Sequence, residues 1–325
     1  MAVKSKTSRF VFIAVGCVTV VLPHGCDSAA RRDSANDVEV LCDRGLAYLD
    51  KGEYDKAIMQ YTNVLELDAG HAAAHYNRGL AYHKKGAHDA AIADYTKVIE
   101  LRPEFAKAYN NRGAVFCARR QYDEAIKDCT IALKLDAGHA GAHFNRGLAY
   151  AHKRNYDAAI SDYTKAVELD PEYTDAYNDR GRIHSLRGEY DAAIADYSKA
   201  IELASRHTKA YVGRGLAHTG KGNCEAAIAD FTNAIKLDPT RATAYRGRGL
   251  AYAANADHDA AIRDYTKALE LNPGDASTYS VRAWAHYFRH DYDAAWADVK
   301  ECKRLGRKID ADFLAKLRRA SGREE

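Results

Sequence analysis

The sequence repeats itself every 34 residues. Written in rows of 34 from Val38, it aligns without insertion or deletion through Ile309, and eight rows result. Position 8 of successive rows holds Gly45, Gly79, Gly113, Gly147, Gly181, Gly215, Gly249 and Ala283. Position 20 holds Ala57, Ala91, Ala125, Ala159, Ala193, Ala227, Ala261 and Ala295, and position 30 is leucine in every row, from Leu67 to Leu305. The four prolines after residue 23, Pro103, Pro171, Pro239 and Pro273, all stand at position 32. Units this short cannot bury an apolar face alone, so a chain of this kind must gain its stability by stacking neighbour on neighbour.

Within a row, positions 4, 8 and 11 recur at helical spacing, and the proline at 32 ends one helix before the next begins. Each unit therefore reads as helix, turn, helix. Small residues at 8 and 20 mark the place where the two helices approach closely. Aromatic residues surround that contact, with Tyr48, Tyr82, Phe116, Tyr150 and Tyr252 at position 11 and Tyr61, Tyr95, Tyr163, Tyr197, Phe231 and Tyr265 at position 24. Glycine, alanine, aromatic and proline at these offsets resemble the tetratricopeptide repeat, whose period is 34. The family's tryptophan at position 4 is replaced by tyrosine (Tyr109, Tyr177, Tyr211, Tyr245, Tyr279) or histidine (His75, His143). The resemblance implies an all-α, right-handed superhelical solenoid of eight helix-turn-helix repeats over residues 38–309. Residues 310–325, with Phe313, Leu314 and Leu317 at helical spacing and Asp310 as N-cap, are expected to form a C-terminal capping helix and tail. Residues 27–37, polar and rich in Asp, Arg and Ser, read as a flexible linker.

Arginine fills position 7 of all eight rows, Arg44 to Arg282, and aspartate fills position 23 of seven, Asp94 to Asp298. One reading is a line of arginines facing a ligand. The other is a series of structural ion pairs between the two helices of each unit, favoured because the opposite charge recurs in register. The pairs His71/His75, His139/His143 and His286/His290 have the i, i+4 spacing that suits metal ligation, but no carboxylate or cysteine completes a set, and no metal or other cofactor is expected. No row is interrupted by a catalytic loop, and the chain has no phosphate-binding glycine loop, nucleophile elbow or two-cysteine metal knuckle, which argues against an enzyme.

In the family resembled, the first helices of successive repeats line a concave groove that takes peptides or partner helices. Carried onto this sequence, the groove positions supply Asp43, Asn77, Asn111, Asn145 and Asp179 at position 6, with Tyr76, Asn110, Phe144, Asn178 and Arg246 at position 5 and Arg182 at position 9. An asparagine amide can both donate to and accept from a peptide backbone. Toward the C-terminus the same positions become apolar, with Leu250, Trp284, Tyr287 and Phe288.

Charge and the N-terminus bear on location and partners. Residues 1–26 carry Lys4, Lys6 and Arg9 and no acid, which leaves the rest of the chain with 45 basic and 45 acidic residues. A neutral body argues against nucleic acid as a partner. The uncharged run from Phe10 to Leu22 falls short of a membrane span and reads as a signal peptide. Two cleavage sites compete. Gly25-Cys26 is a loose lipoprotein box that would place a lipid on Cys26, and Ser28-Ala29-Ala30 suits an ordinary signal peptidase. The five cysteines beyond Cys26 have no motif spacing and read as small core residues. The expectation is an exported scaffold of the bacterial envelope or periplasm, tethered by its lipid, that docks a protein or peptide. A ligand-binding accessory of a transporter and a self-assembling homo-oligomer are the alternatives.

Overall fold

A computed structural model describes residues 28–323 of the protein, with side chains from Asp37 onward. The basic start, the apolar run and Cys26 lie outside the described residues. Among those described there are seventeen helices and no strand. The first four units are α1 (Ser28–Asp50) with α2 (Tyr54–Leu67), α3 (Ala72–Lys85) with α4 (His88–Leu101), α5 (Ala106–Ala118) with α6 (Tyr122–Leu135), and α7 (Ala140–His152) with α8 (Tyr156–Leu169). The next four are α9 (Thr174–Leu186) with α10 (Tyr190–Leu203), α11 (Thr208–Gly220) with α12 (Cys224–Leu237), α13 (Ala242–Ala254) with α14 (His258–Leu271), and α15 (Ala276–Phe288) with α16 (Tyr292–Arg304). A last helix, α17 (Ala311–Ser321), follows. Each helix packs on the next in sequence and first helices also touch the first helices of neighbouring units, which gives the expected all-α solenoid of stacked helix pairs.

The segment read as a linker is instead helical from Ser28. Ala29, Ala30, Arg31, Arg32 and Ala35 are good helix formers, and no glycine or proline interrupts the run between Gly25 and Gly45, so α1 extends past the start of the repeat.

The glycines at position 8 explain how the two helices of a unit close. A Cβ on Gly45 would stand 2.6 Å from the Tyr61 ring, one on Gly113 2.7 Å from the Cys129 Sγ, and one on Gly249 2.6 Å from the Tyr265 ring. The alanines at position 20 are completely buried against the same contact. Position 15, in the turn between the helices, is left-handed in every unit. Gly52, Gly86, Gly188 and Gly222 occupy it in four units, and Arg120, Arg154, Ala256 and His290 in the others, the latter all with φ near 60°.

Between units the chain turns on an aspartate that follows the second helix. Asp68, Asp136, Asp170 and Asp238 each accept a hydrogen bond from the amide two residues on, at 3.0 or 3.1 Å, across the residue that is proline in the latter two cases. His71, His139 and His207 then cap the next first helix, each accepting through Nδ1 from the amide three residues on at 3.1 or 3.2 Å. Histidine at these places is thus explained by capping.

The arginine and aspartate at positions 7 and 23 form a ladder of ion pairs. In units two to eight the arginine Nε and Nη2 donate to the two oxygens of the aspartate in the same unit, as from Arg146 to Asp162 at 2.8 Å each. Nη1 reaches back to a hydroxyl at position 25 of the unit before, as from Arg78 to Thr62, Arg214 to Ser198 and Arg282 to Thr266. The aspartates are nearly buried and the arginines about one-fifth exposed. Position 4 supports the ladder in two ways. Tyr109, Tyr177, Tyr211, Tyr245 and Tyr279 lie against the guanidinium of their own unit at 5.5–5.9 Å. His75 and His143 instead bond Asp94 and Asp162 through Nδ1, at 2.8 and 2.9 Å. All of these guanidinium groups are committed to holding helices together, so they do not face a ligand.

A second series runs over the outside, pairing a base that ends one first helix with an acid in the preceding second helix. Lys85 meets Asp55, Arg119 meets Asp89, Lys153 meets Asp123, Arg187 meets Asp157 and Lys221 meets Asp191. The series extends to α17, where Arg323 meets Asp293 at 2.6 Å. The capping helix occupies the place of a ninth first helix. Asp310 caps it by accepting from the Asp312 amide at 2.9 Å, and Phe313 and Leu317 are buried against unit eight. Leu317 stands at the position that is glycine in most units.

Two outcomes follow for stability. Replacing Asp162 with Ala leaves Arg146 largely desolvated and unpaired, and should lower stability by about 2–3 kcal/mol in thermal or denaturant unfolding; replacing Asp157, which is paired on the surface, should cost less than about 0.5 kcal/mol. Ala256→Gly relieves a left-handed alanine and should stabilise by about 0.5–1 kcal/mol, whereas Gly222→Ala at the equivalent turn should destabilise by a similar amount.

Candidate functional site

The inner surface is made by successive first helices, because positions 2, 5, 6 and 9 lie on one helical face. Four of the polar residues carried onto this face are joined by hydrogen bonds across three units. Asn145 Nδ2 donates to Asn110 Oδ1 at 2.9 Å, Asn110 Nδ2 to Asn111 Oδ1 at 3.1 Å, and Asn111 Nδ2 to the Tyr76 hydroxyl at 2.9 Å. Asn110, expected in the groove, is only 7 % exposed and serves as the buried link in this chain. The bonds use one of the two N–H groups of Asn111 and one of those of Asn145.

The ends of the polar row are arranged differently. Asn77 lies beside the Tyr61 hydroxyl, and its Oδ1 is buried without a partner among the described residues. Asn178 donates to Asp179 at 3.2 Å and keeps its own Oδ1 buried and unpartnered among them. Burial raises the Asp179 carboxyl above its ordinary pKa, against the opposing charge of Arg182, 3.9 Å away and half exposed. Asn77, Asn178, Asp179 and Arg182 therefore belong to the same face as the linked asparagines but not to their hydrogen-bonded chain. Tyr76 and Phe144 are largely occupied by packing, Tyr76 against Phe105 with ring centres 5.3 Å apart and Phe144 against Tyr173 at 4.9 Å.

The row of polar side chains at position 6 ends at Gly213 for a steric reason. A Cβ on Gly213 would run into the Tyr197 ring, and one on Gly247 into the Phe231 ring. The ring at position 24 wedges between position 8 of its own unit and position 6 of the next. The repeat pattern places those rings in the packing and does not reveal that the Tyr61, Tyr95 and Tyr163 hydroxyls come up beside Asn77, Asn111 and Asp179. Tyrosine at position 24 does not by itself signal this, because Tyr197 precedes Gly213 and Tyr265 precedes Val281.

The apolar C-terminal end departs from expectation. The Trp284 and Tyr287 rings lie 4.3 and 6.0 Å from the Phe313 ring and join the core under α17. They close the stack, because a terminal unit needs an apolar cover. Phe288 stays half exposed and, with Leu250, His258, Val281 and one face of Trp284, lines an open hollow of about 180 Å³. That volume is below the range of enclosed small-molecule sites, which run from about 300 to 1,000 Å³, and suits a single side chain.

The remaining chemistry of the chain is absorbed by structure. Cys129 and Cys302 are buried, and burial pushes the Cys117 thiol up to about 12. The histidines paired by spacing do separate work: His71 caps a helix while His75 holds Asp94, and His290 bonds the Tyr292 hydroxyl at 2.9 Å while His286 lies 3.6 Å from Asp291.

Comparison with known proteins agrees with this geometry. No curated protein sequence matches the chain. Among solved structures it is similar to YrrB, described as a tetratricopeptide repeat protein with an unusual peptide-binding site, at 25% identity and TM-score 0.51, covering 57% of this chain and 95% of that one. A tetratricopeptide repeat protein from Parabacteroides merdae shares the fold at 21% identity and TM-score 0.56, over 77% of this chain and 99% of the other. A chain of the Cut9–Hcn1 hetero-tetramer of the APC/C does so at 20% identity and TM-score 0.61, over 82% of this chain; the present chain spans about half its length, 52%. Proteins built from these repeats are in general non-catalytic scaffolds that bind proteins or peptides. Two family models, both of the tetratricopeptide repeat, match residues 42–106 and 212–276 and residues 106–139, 140–173 and 174–207, so the chain belongs to the tetratricopeptide repeat family.

Proposed function

We propose that the protein is a non-enzymatic docking scaffold whose inner face holds an extended peptide segment of a partner protein. The observation that carries this reading is the chain Asn145–Asn110–Asn111–Tyr76, which fixes the orientation of amide groups across three units before any partner arrives. Groups held in place lose little freedom on binding, and preorganisation of this kind turns modest hydrogen bonds into usable affinity. A peptide backbone offers donors and acceptors in alternation, which matches the remaining N–H group of Asn111 and the remaining N–H group and carbonyl oxygen of Asn145. Beyond Asp179 the inner face loses its amides, and the hollow beside Phe288 suits a bulky apolar side chain of the same segment. The likeness to YrrB, with its peptide-binding site, supports the reading.

The N-terminal layout of the sequence motivates a location for this scaffold. The basic residues Lys4 to Arg9, the apolar run Phe10 to Leu22 and the Gly25-Cys26 pair support export to the bacterial envelope or periplasm and tethering through a lipid on Cys26.

Two measurements test these statements. Peptides selected on the purified protein from a random library should lose affinity about tenfold, or 1.4 kcal/mol, when Asn145 is replaced by Ala, and further when Asn111 is replaced as well. Affinities unchanged within twofold would remove the inner face as the site. Intact mass of the protein purified from membranes should show a chain that begins at Cys26 and carries a lipid; a chain that begins after Ala30 would refute the tether.

A further inference from the structure

In units two to eight the first helix lays one face on the second helix of the unit before. Position 3 is alanine, or threonine in unit eight, and is fully buried there, as is position 10 with its alanine, valine or isoleucine. The arginine between them bonds a hydroxyl across the boundary. On α1 no other helix covers the same face among the described residues. Val40 at position 3 is 41% exposed, and Asp43, Arg44 and Ala47 are exposed as well. These four residues follow i, i+3 and i+4 spacing and make one stripe.

A second departure falls in the same unit. Position 23 is aspartate in all other rows and Gln60 here, so among the described residues Arg44 is the ladder arginine without a carboxylate. An exposed carboxylate, Asp43, stands directly before it. At the opposite end of the stack α17 already covers unit eight and shows solvent the charged side chains of Lys316 and Arg319, so another copy cannot continue the solenoid head to tail.

We infer that the open stripe of α1 is the interface of a two-fold dimer, with α1 of a second copy lying antiparallel across it. A two-fold axis between residues 43 and 44 makes the stripe complementary to itself. Val40 of each copy meets Ala47 of the other, and Asp43 of each meets Arg44 of the other. Each Arg44 thereby gains the carboxylate that its own unit lacks, and the small Ala47 lets the helices approach as alanines do at every internal boundary. A two-fold contact is closed, so assembly stops at two copies. The overlapping stretch is residues 37–50, about 21 Å of helix at about 1.5 Å per residue, which makes a small and concentration-dependent interface.

Sedimentation of the purified full-length chain in nonionic detergent tests the pairing through charge exchange. The unaltered protein should pass from monomer to dimer as its concentration rises. Asp43→Arg alone and Arg44→Asp alone each set like charges against each other and should weaken the dimer at least tenfold. The double variant D43R/R44D restores opposite signs across the axis and should return the association to within about threefold of the original, the tenfold step being 1.4 kcal/mol. All four residues of the stripe are exposed, so circular dichroism should be unchanged throughout. In V40C/A47C, mild oxidation should join two chains, whereas the unaltered protein should not be joined. A monomer at all concentrations, a dimer indifferent to the single exchanges, a double variant that fails to recover, or growth beyond two copies would each overturn the inference.

Discussion

In units one to seven a ring or thiol from the second helix lies on a glycine of the first, and in unit eight Val299 shares a core cluster with Ala283. With no side chain at position 8, the helices approach until the ring of Tyr61, Tyr95 or Tyr163 touches backbone, and the alanines at position 20 complete the contact. The same ring then extends to position 6 of the next unit, so one side chain sets the spacing within a unit and the spacing between units. This contact places the first helices side by side and creates the inner face on which the asparagines are displayed. The inner face is a by-product of the packing rule that makes the stack possible.

The ion-pair ladder adds direction to this packing. Dispersion and apolar burial do not by themselves fix which turn of one helix meets which turn of the next, but a guanidinium with two bonds to Asp162 and one to Thr130 has one satisfactory arrangement. The exposed series on the outer surface repeats the register without the desolvation and contributes less. The first unit supports this account by exception. Gln60 replaces aspartate in the one unit where, among the described residues, no preceding unit packs over the arginine, and Arg44 stays exposed there.

Most of the fold was legible in the sequence because it is periodic, and a constraint repeated eight times stands out above the variation of single residues. Helix pairs, the close contact at positions 8 and 20, the structural role of Arg and Asp, and the cap with its Asp310 are all read from register alone. The start of α1 was not, because polar composition suggested a linker while the propensity of alanine and arginine for helix governed the backbone. The inner face was only partly legible. Position in the row brings Asn111 and Asn145 to it, but whether an amide such as that of Asn110 is buried as a link, or a ring such as Trp284 is taken up by a cap, depends on neighbours in other rows that no single row contains. The histidines at positions 34 and 4 have the spacing of a metal-binding pair but serve two independent partners, because a helix boundary runs between them.

The placement of the ladder's charges bears on how such an array changes length. Arginine and its aspartate lie sixteen residues apart within a single unit, and only the neutral hydroxyl is borrowed from the neighbour. A duplication or loss of one 34-residue segment therefore carries both charges together and leaves no stranded ion behind, while the hydroxyl is resupplied by whichever unit comes to precede it. For the buried ladder, genetic growth and shrinkage of the array are electrostatically silent, and the inner surface can lengthen or shorten without stranding a desolvated charge.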